Sequence, residues 1–164
     1  MDDLITMLRI PARAGAPLAV SQQMPGDLRF VRAAVGGPAE SAELALPAAT
    51  MCVNMDGAQV GLPVNRRATL LLRASTPSRR REQVFGDVVV LGPPRRGVDT
   101  SLPTQLSWVL LNDHAGYQVT LQRPDAQTGV RDTGHVWVSV WDAYRGGLVI
   151  ARAMPAAAVV AVTT

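Results

Sequence analysis

Three successive valines, Val88 to Val90, place the strongest constraint on how this chain folds. They belong to the apolar run Val84 to Leu91, which only Gly86-Asp87 interrupts. A continuous β-branched run favours a strand buried on both faces, because a strand with one wet face would alternate apolar and polar residues. Gly92-Pro93-Pro94 follows and ends the predicted strand, since proline cannot donate to a sheet ladder.

The segment before this run predicts a hairpin. Met51 to Met55 is apolar and β-prone, and Asp56-Gly57 comes directly after it. Asp-Gly tolerates the positive φ that a tight hairpin turn requires. Ala58 to Val60 is the predicted return strand, and Gly61-Leu62-Pro63 breaks it.

A helix is predicted to follow the hairpin. Asn65 is a good N-cap, because its side-chain oxygen can accept from a backbone N–H one turn in. Arg66 to Arg73 contains only residues that a helix tolerates, and Leu70 to Leu72 offers a buried stripe. Ser75 to Glu82 is polar, with a proline and three successive arginines, and is predicted to be an exposed loop.

The N-terminal region predicts two strands, a helix and an edge strand. Leu4 to Ile10 is an apolar run, and Leu18 to Val20 is predicted to pair back onto it. Pro25 to Val35 is a predicted helix, because proline suits the first turn and apolar residues recur at helical spacing. Gly36-Gly37 would end it through a left-handed residue. Alternation from Ala42 to Leu46 predicts an edge strand.

The C-terminal region predicts one helix and several strands. Leu102 to Leu111 has helical spacing, with Ser101 as its cap. Alternating residues predict strands at Tyr117 to Gln122 and at His135 to Trp141. Two further strands are predicted around Pro155, namely Leu148 to Met154 and Ala156 to Val162.

This order of elements predicts an α+β fold, with a mixed or antiparallel sheet and two or three short helices packed on it. Residues 1–97 are the predicted α+β domain, and 98–164 a strand-rich extension that shares its core. A chain of 164 residues is long enough to bury a core. The predicted core is Met51, Val53, Leu70, Leu71, Val88, Val90, Val136 and Val138.

Four short motifs resemble those of a family of small proteins of unknown function from actinobacteria, their phages and other mobile elements. They are V-G-G (35–37), N-x-D-G (54–57), G-L-P-x-N-R-R-A-T (61–69) and F-G-D-V-V-V-L-G (85–92). The family carries no assigned catalytic residues. The resemblance therefore implies a context only, that of a phage or mobile-element accessory protein working inside a bacterial host.

Composition limits the expected cellular location of the protein and the kinds of chemical site that it can form. The single cysteine, Cys52, excludes an internal disulfide and cannot build a metal site alone, and no cofactor is expected. No window of about 18 apolar residues predicts a membrane span. The Met-Asp-Asp start lacks the basic region of a secretory signal, so the expected location is the cytoplasm, the host's if a phage encodes the protein.

The charge is unevenly distributed. All sixteen basic residues are arginine, and eight of them fall between Arg66 and Arg96 against only Glu82 and Asp87. That window carries eight minus two charges, or +6, and since the whole chain sums to +3 the rest sums to −3. Such asymmetry can mark a nucleic-acid or acidic-partner surface. The candidate binding residues are Arg66, Arg67, Arg79, Arg80, Arg81, Arg95 and Arg96.

Aromatic residues offer a second candidate site. If His135 to Trp141 is a strand, Trp137 and Trp141 share one face with Ser139. Such a stripe can stack bases, or it can pack a helix against a sheet. The two interpretations stay open.

Catalytic chemistry has little support. His114 and His135, with Asp113 and Asp132 near them, could in principle form a metal or acid–base site, but their spacing is not a ligand signature. Cys52 lies in an apolar strand, where a free cysteine usually behaves as a small buried hydrophobe. No catalytic residue, no metal site and no enzyme activity is therefore expected.

Three functions remain after these exclusions. The first is a non-enzymatic accessory protein that binds a host or phage macromolecule, with a protein as the expected partner. The second is nucleic-acid binding through the Arg66 to Arg96 stretch. The third is a structural component of the virion. No membrane partner is expected, and the sequence does not predict an oligomeric state.

Overall fold

The structure is a computed structural model that describes residues 3–126 and 131–164, without the side chains of 131 and 132. The chain forms two compact units. Unit 1 comprises the residues up to Leu44 together with Ala48–Thr69 and Gln83–Pro103. Unit 2 comprises Ala45–Pro47, Leu70–Glu82 and Thr104–Thr164.

The strands of unit 1 are β1 (Ile5–Ile10), β2 (Ala19–Gln23), β3 (Ala39–Leu44), β4 (Ala49–Asn54) and β5 (Val88–Leu91). They form a five-stranded sheet with the order β2-β1-β5-β4-β3, and every neighbouring pair is antiparallel. β1 pairs with β2, and β4 pairs with β3. The two strands of each pair are consecutive in the chain, so β5 lies between two hairpins.

The central strand confirms the prediction made from the valine run. All four residues of β5 are buried, and Val88, Val89 and Val90 have no exposed surface. Val89 packs in a cluster with Met7 and with helix α1 (Leu28–Val35), whereas its neighbours point to the opposite face of the sheet. β5 is therefore apolar throughout because both of its faces are covered.

Helix α1 begins later than predicted. Its N-cap is Asp27, so Pro25 is not in the first turn as predicted, and the Asp27 side chain accepts a hydrogen bond from the N–H of Phe30. Pro25 lies in the turn before the helix. Gly36 ends the helix with a left-handed φ of 82°, as the sequence predicts.

The predicted hairpin at Asp56-Gly57 is wrong. Residues 55–61 form consecutive turns, and β4 pairs with β3 and β5 instead of a return strand. Gly57 does not have a positive φ. A Cβ at Gly57 would lie 3.1 Å from the Phe85 carbonyl oxygen, so this glycine permits a close backbone approach.

Helix α2 (Arg66–Ser75) confirms the predicted N-cap. The Oδ1 of Asn65 accepts from the N–H of Ala68 at 3.0 Å, three residues into the helix. The exposed loop predicted after it is partly wrong, because Ser75 and Thr76 are buried and Pro77–Arg79 forms a turn of 3-10 helix. The Ser75 hydroxyl and the Thr76 hydroxyl accept from the backbone of Leu46 and Ala45.

The elements of unit 2 are α3 (Thr104–Leu111), β6 (Tyr117–Gln122), β7 (Arg131–Asp132), α4 (Val140–Ile150) and β8 (Ala158–Thr163). The three strands form an antiparallel sheet with the order β7-β6-β8. The longer helix, α4, packs on β6 and β8. This contact is close, since a Cβ at Gly147 would lie 2.4 Å from a methyl group of Val159.

Two strands predicted in the C-terminal region are wrong. The segment predicted as the strand His135 to Trp141 makes one isolated bridge, between Trp137 and Tyr117, and then enters α4. Ser139 starts that helix by accepting from the N–H of Asp142 at 3.1 Å. The predicted strand Leu148 to Met154 is the end of α4 followed by a 3-10 turn.

Half of the predicted core is confirmed. Met51, Leu71, Val88 and Val90 are buried, while Val53 and Leu70 are half-buried. The prediction is wrong for Val136 and Val138, which are 60% and 84% exposed because the segment that carries them is not a sheet strand.

The fold class is α+β, as predicted, with antiparallel sheets. The described residues contain four α-helices, one more than the upper limit expected. Ser101 does not cap α3, because its hydroxyl accepts from the backbone N–H of Thr6. None of the helices described combines the length and the apolar character that a membrane crossing requires.

Candidate anion-binding sites

A two-residue β-turn in unit 1 presents two of the candidate arginines. Arg95 and Val98 exchange backbone hydrogen bonds of 2.9 and 3.0 Å, with Arg96 and Gly97 between them. Arg96 has a φ of 50° and Gly97 a φ of 75°. Positive φ at both central residues defines a type I′ turn, which normally carries asparagine or glycine at its first central position. Both arginine side chains are exposed.

The base of this turn is held firmly. The Gly92 N–H donates to the Thr100 carbonyl at 2.9 Å, and the Thr100 hydroxyl donates to the Pro93 carbonyl at 2.6 Å. The carboxylate of Asp99 accepts from the Gly26 N–H at 2.9 Å. The two arginines therefore project from a turn that is tied back to the sheet and to the start of α1.

The other two candidate arginines of unit 1 differ from each other. Arg66 is exposed at the start of α2. The Arg67 guanidinium donates to the carbonyl oxygens of Ala16 at 2.8 Å, Pro11 at 2.9 Å and Arg13 at 3.2 Å. Burial lowers the pKa of Arg67, while the charge of Asp87 acts in the opposite direction. Arg67 holds the turn after β1 in place and has few donors left for a ligand.

The three successive arginines belong to unit 2 and have three different roles. Arg79 forms an ion pair with Glu82 at 2.9 Å. Arg80 donates to the carbonyl oxygens of Arg73, Pro155 and Ala157. Arg81 is exposed. The seven candidate arginines are thus divided between the units, and only Arg66, Arg81, Arg95 and Arg96 present exposed side chains.

Unit 2 contains an arginine-lined cavity of about 330 Å³ that the sequence did not reveal. Arg80 is the only one of the seven candidates in its lining, and the other basic residues are Arg73, Arg145 and Arg152. Arg145 and Arg152 are seven residues apart, a spacing that predicts one side of a helix, and Arg152 lies in the 3-10 turn that directly follows α4. That spacing was the available signal, and the incorrect strand prediction concealed it.

The two tryptophans proposed for stacking do not form a stripe. Trp137 lies in an extended segment, where its indole covers Gly146 so closely that a Cβ there would be 2.5 Å from the ring. Trp141 lies in the first turn of α4, with its ring centroid 6.0 Å from that of Tyr144. Both side chains are half-buried. Because they lie on different elements, the strand-face geometry assumed for stacking bases is wrong.

The histidine and cysteine side chains have local roles. His114 contacts the rings of Trp108 and Tyr117, and its Nε2 lies 2.8 Å from the Trp108 carbonyl oxygen. Burial raises the pKa of the Cys52 thiol, although a hydrogen bond with Ser41 opposes this effect. Among the side chains described, no three His, Cys, Asp or Glu residues are grouped so that they could hold a metal ion.

Two of the four family-like motifs meet at Asn54. The Asn54 amide donates to the carbonyl of Val35 at 3.1 Å, and its Oδ1 accepts from the N–H of Asp56 at 2.8 Å. The same amide nitrogen would lie 3.0 Å from a Cβ added at Gly37. Residues 35–37 and 54–57 are thus a single packing arrangement at the end of α1.

The other two motifs meet at Asn65. Its amide donates to the carbonyls of Ile10 at 2.8 Å and Gly86 at 3.0 Å, and its backbone N–H donates to the carbonyl of Val84 at 2.7 Å. The Thr69 hydroxyl accepts from the N–H of Val84 at 3.0 Å. Motif residues 61–69 and 85–92 therefore join α2 to the start of the central strand.

These contacts hold the fold together, so the motifs can identify a family without indicating a chemical activity. No curated protein and no solved structure matches the chain. A family model described as a domain of unknown function (DUF3846) matches residues 7–113, which include all four motifs. The chain therefore belongs to the DUF3846 family.

Proposed function

We propose that this chain is a non-enzymatic accessory protein of a phage or mobile element that acts in the host cytoplasm by binding nucleic acid. The resemblance of the four motifs supports the phage or mobile-element context. The geometry of the Arg95-Arg96 turn supports nucleic acid as the ligand.

The observation that carries the proposal is the left-handed conformation of Arg96. A residue other than glycine in this region costs about 1–2 kcal/mol, and asparagine or glycine would relieve that cost. Backbone strain that persists in a folded protein is found mainly at functional sites. An arginine kept at the strained position supports a binding role for its side chain.

The chemistry of the turn suits a phosphate backbone. The guanidinium group is always charged and donates in a planar fork that matches phosphate oxygens. Within residues 3–126 and 131–164, neither Arg95 nor Arg96 forms an ion pair, so both charges are available.

The test is fluorescence anisotropy of labelled duplex and single-stranded DNA at salt concentrations from about 50 to 200 mM, where phosphate contacts are lost. We expect sequence-independent binding that weakens steeply with salt. Replacing Arg95 and Arg96 by glutamine should lower the salt slope on duplex DNA by up to about 1.8, near 0.9 for each lost contact.

Arg96→Gly separates binding from folding. It should raise the free energy of unfolding of unit 1 by about 1 kcal/mol, because glycine adopts the left-handed conformation without strain. The same variant should bind DNA more weakly. If the variant bound DNA weakly because it was less stable, the free energy of unfolding and the DNA affinity would fall together. If Arg96 is a binding residue kept under strain, only the DNA affinity falls.

Arg13→Gln is the matched control. It removes one positive charge, as Arg96→Gly does, from another exposed arginine of unit 1. Arg13 comes shortly after Ile10, the last residue of β1, and Ile10 pairs with Val88 at the start of β5. The Arg95-Arg96 turn follows the opposite end of β5. The control should bind like the wild type.

Two results would contradict the nucleic-acid proposal. One is no binding at the lowest salt concentration, and the other is equal binding by the control and by the Arg95/Arg96 double variant. A protein partner would then be the leading hypothesis, and a pull-down from host lysate that survives nuclease treatment would support it. Detection of the chain in purified particles by mass spectrometry would instead support a virion component.

A further inference from the structure

The arginine-lined cavity of unit 2 lies outside the Arg95-Arg96 turn and is a separate site. Arg73 comes from the second half of α2, Arg80 from the segment after the 3-10 turn, and Arg145 and Arg152 from α4 and the turn that follows it. The remaining lining is apolar and consists of Leu70, Leu148 and Val149. No carboxylate of the described residues is part of the lining.

Arg80 carries a charge that the described residues do not neutralise. Its three hydrogen bonds all go to backbone carbonyl oxygens, those of Arg73, Pro155 and Ala157. Its side chain is half-buried, and burial lowers its pKa without an opposing carboxylate. Burying a charge without a counter-charge is costly, and an anion in the cavity would offset that cost.

The other three arginines add charge with little compensation. Arg73 donates through Nε to the Glu82 carbonyl at 2.9 Å, which leaves the other N–H donors of its guanidinium group for a ligand. Arg152 makes no hydrogen bond or ion pair with any residue that the structure describes. Arg145 alone is paired, with Asp142 at 2.8 Å, and both side chains of that pair are well exposed. The cavity therefore has an excess of about three positive charges.

The size and the apolar wall limit the ligand. A volume of about 330 Å³ is at the lower end of the range for small-molecule sites, and it is too small to admit a duplex. Guanidinium groups recognise phosphate through paired, charge-assisted hydrogen bonds. Two leucines and a valine beside them offer an apolar surface to a flat ring system.

We propose that this cavity binds a nucleoside monophosphate, with the phosphate among the four arginines and the base against Leu70, Leu148 and Val149. The ligand can be a free nucleotide or the phosphorylated end of a nucleic-acid strand, since the two share this chemistry. The site is independent of the Arg95-Arg96 turn and does not rest on the proposed function.

Isothermal titration calorimetry of the full chain tests the site, with adenosine 5′-monophosphate, adenosine and inorganic phosphate as probes at low salt. We expect saturable binding of the monophosphate, weaker binding of inorganic phosphate and none of adenosine. Arg152→Gln should weaken monophosphate binding about tenfold, the loss of one charge-assisted hydrogen bond. Arg152 is exposed, so this variant should fold normally.

Arg123→Gln is the control. Arg123 is an exposed arginine of the same unit, pairs with Asp125 at 3.0 Å and lies outside the cavity lining. It should bind the monophosphate like the wild type, and thermal melting of both variants checks that they are folded. Short oligonucleotides with and without a 5′ phosphate distinguish the two sources. A phosphorylated end that binds more tightly than the monophosphate, in an Arg152-dependent manner, assigns the site to strand ends.

Three results would overturn the proposal. They are the absence of saturable monophosphate binding, equal affinities of Arg152→Gln and Arg123→Gln, and inorganic phosphate binding as tightly as the monophosphate. The last would leave no role for the apolar wall. None of these results depends on DNA binding by the Arg95-Arg96 turn, because Arg152→Gln and the Arg95/Arg96 double variant change different units.

Discussion

Replacing Asn65 by aspartate distinguishes a helix cap from a structural junction. Asparagine and aspartate are equally good N-caps, so if capping were the only role the substitution would cost almost nothing. In the structure the Asn65 amide also donates to the carbonyls of Ile10 and Gly86, and the residue has no exposed surface. Aspartate keeps the capping oxygen but places a second acceptor opposite two carbonyl oxygens.

The expected loss in the free energy of unfolding follows from these contacts. Asn65→Ala loses a cap worth about 1 kcal/mol. It also leaves two buried carbonyls without their donor, at about 1–3 kcal/mol for each unsatisfied group. The expected total is about 3–7 kcal/mol, well above the value for a cap alone. Asn65→Asp should cost at least as much, because a buried carboxylate facing two acceptors is unfavourable.

The assay must report on unit 1, which contains Asn65 and Cys52 but none of the tryptophans. Reaction of the Cys52 thiol with a chromogenic disulfide during urea titration follows the opening of that unit. Tryptophan fluorescence follows unit 2 in the same samples, because Trp108, Trp137 and Trp141 all belong to it. An Asn65→Asp protein whose thiol becomes reactive at the wild-type urea concentration would refute the junction reasoning.

Three further variants or probes test the core. Val90→Asp buries an unpaired charge in the central strand and should cost more than about 4 kcal/mol; unchanged thermal melting would contradict the position of β5. Burial raises the pKa of Cys52, so its thiol should react slowly at about pH 8 and rapidly once urea unfolds unit 1; equal rates in both states would show that β4 is open. Gly147→Ala would gain about 1 kcal/mol of helix propensity in isolation, but its Cβ would lie 2.4 Å from Val159, so the tryptophan-monitored melting temperature should fall.

Unit 1 was the more predictable of the two because most of its signals are local. The buried valine strand, the β1–β2 pairing and the Asn65 cap all follow from residue type and spacing. The Asp56-Gly57 hairpin failed for a physical reason. An Asp-Gly pair reports that a turn is permitted, whereas the long-range approach of Phe85 decides which turn forms.

The C-terminal region was less predictable because one pattern fits two structures. His135 to Trp141 alternates apolar and polar residues as a strand does, yet Ser139 caps a helix within that segment. Two of the alternating valines point into solvent, which no local pattern shows. The arginine-lined cavity could not be predicted either, since it exists only when residues 140–150 are helical and Arg80 is tied to the segment before β8.

The position of β5 between two hairpins has a consequence for synthesis on the ribosome. Strands β1 and β4 are complete by residue 54, but the strand that pairs with both of them is not finished until residue 91. Until then each hairpin has an unpaired inner edge rich in apolar residues, an arrangement that favours pairing with other chains. Closing the sheet joins residues about 80 positions apart, for example Leu8 and Val90, and such non-local pairing is slow. We therefore expect nascent chains stalled between residues 54 and 91 to need chaperone protection that the finished protein does not need.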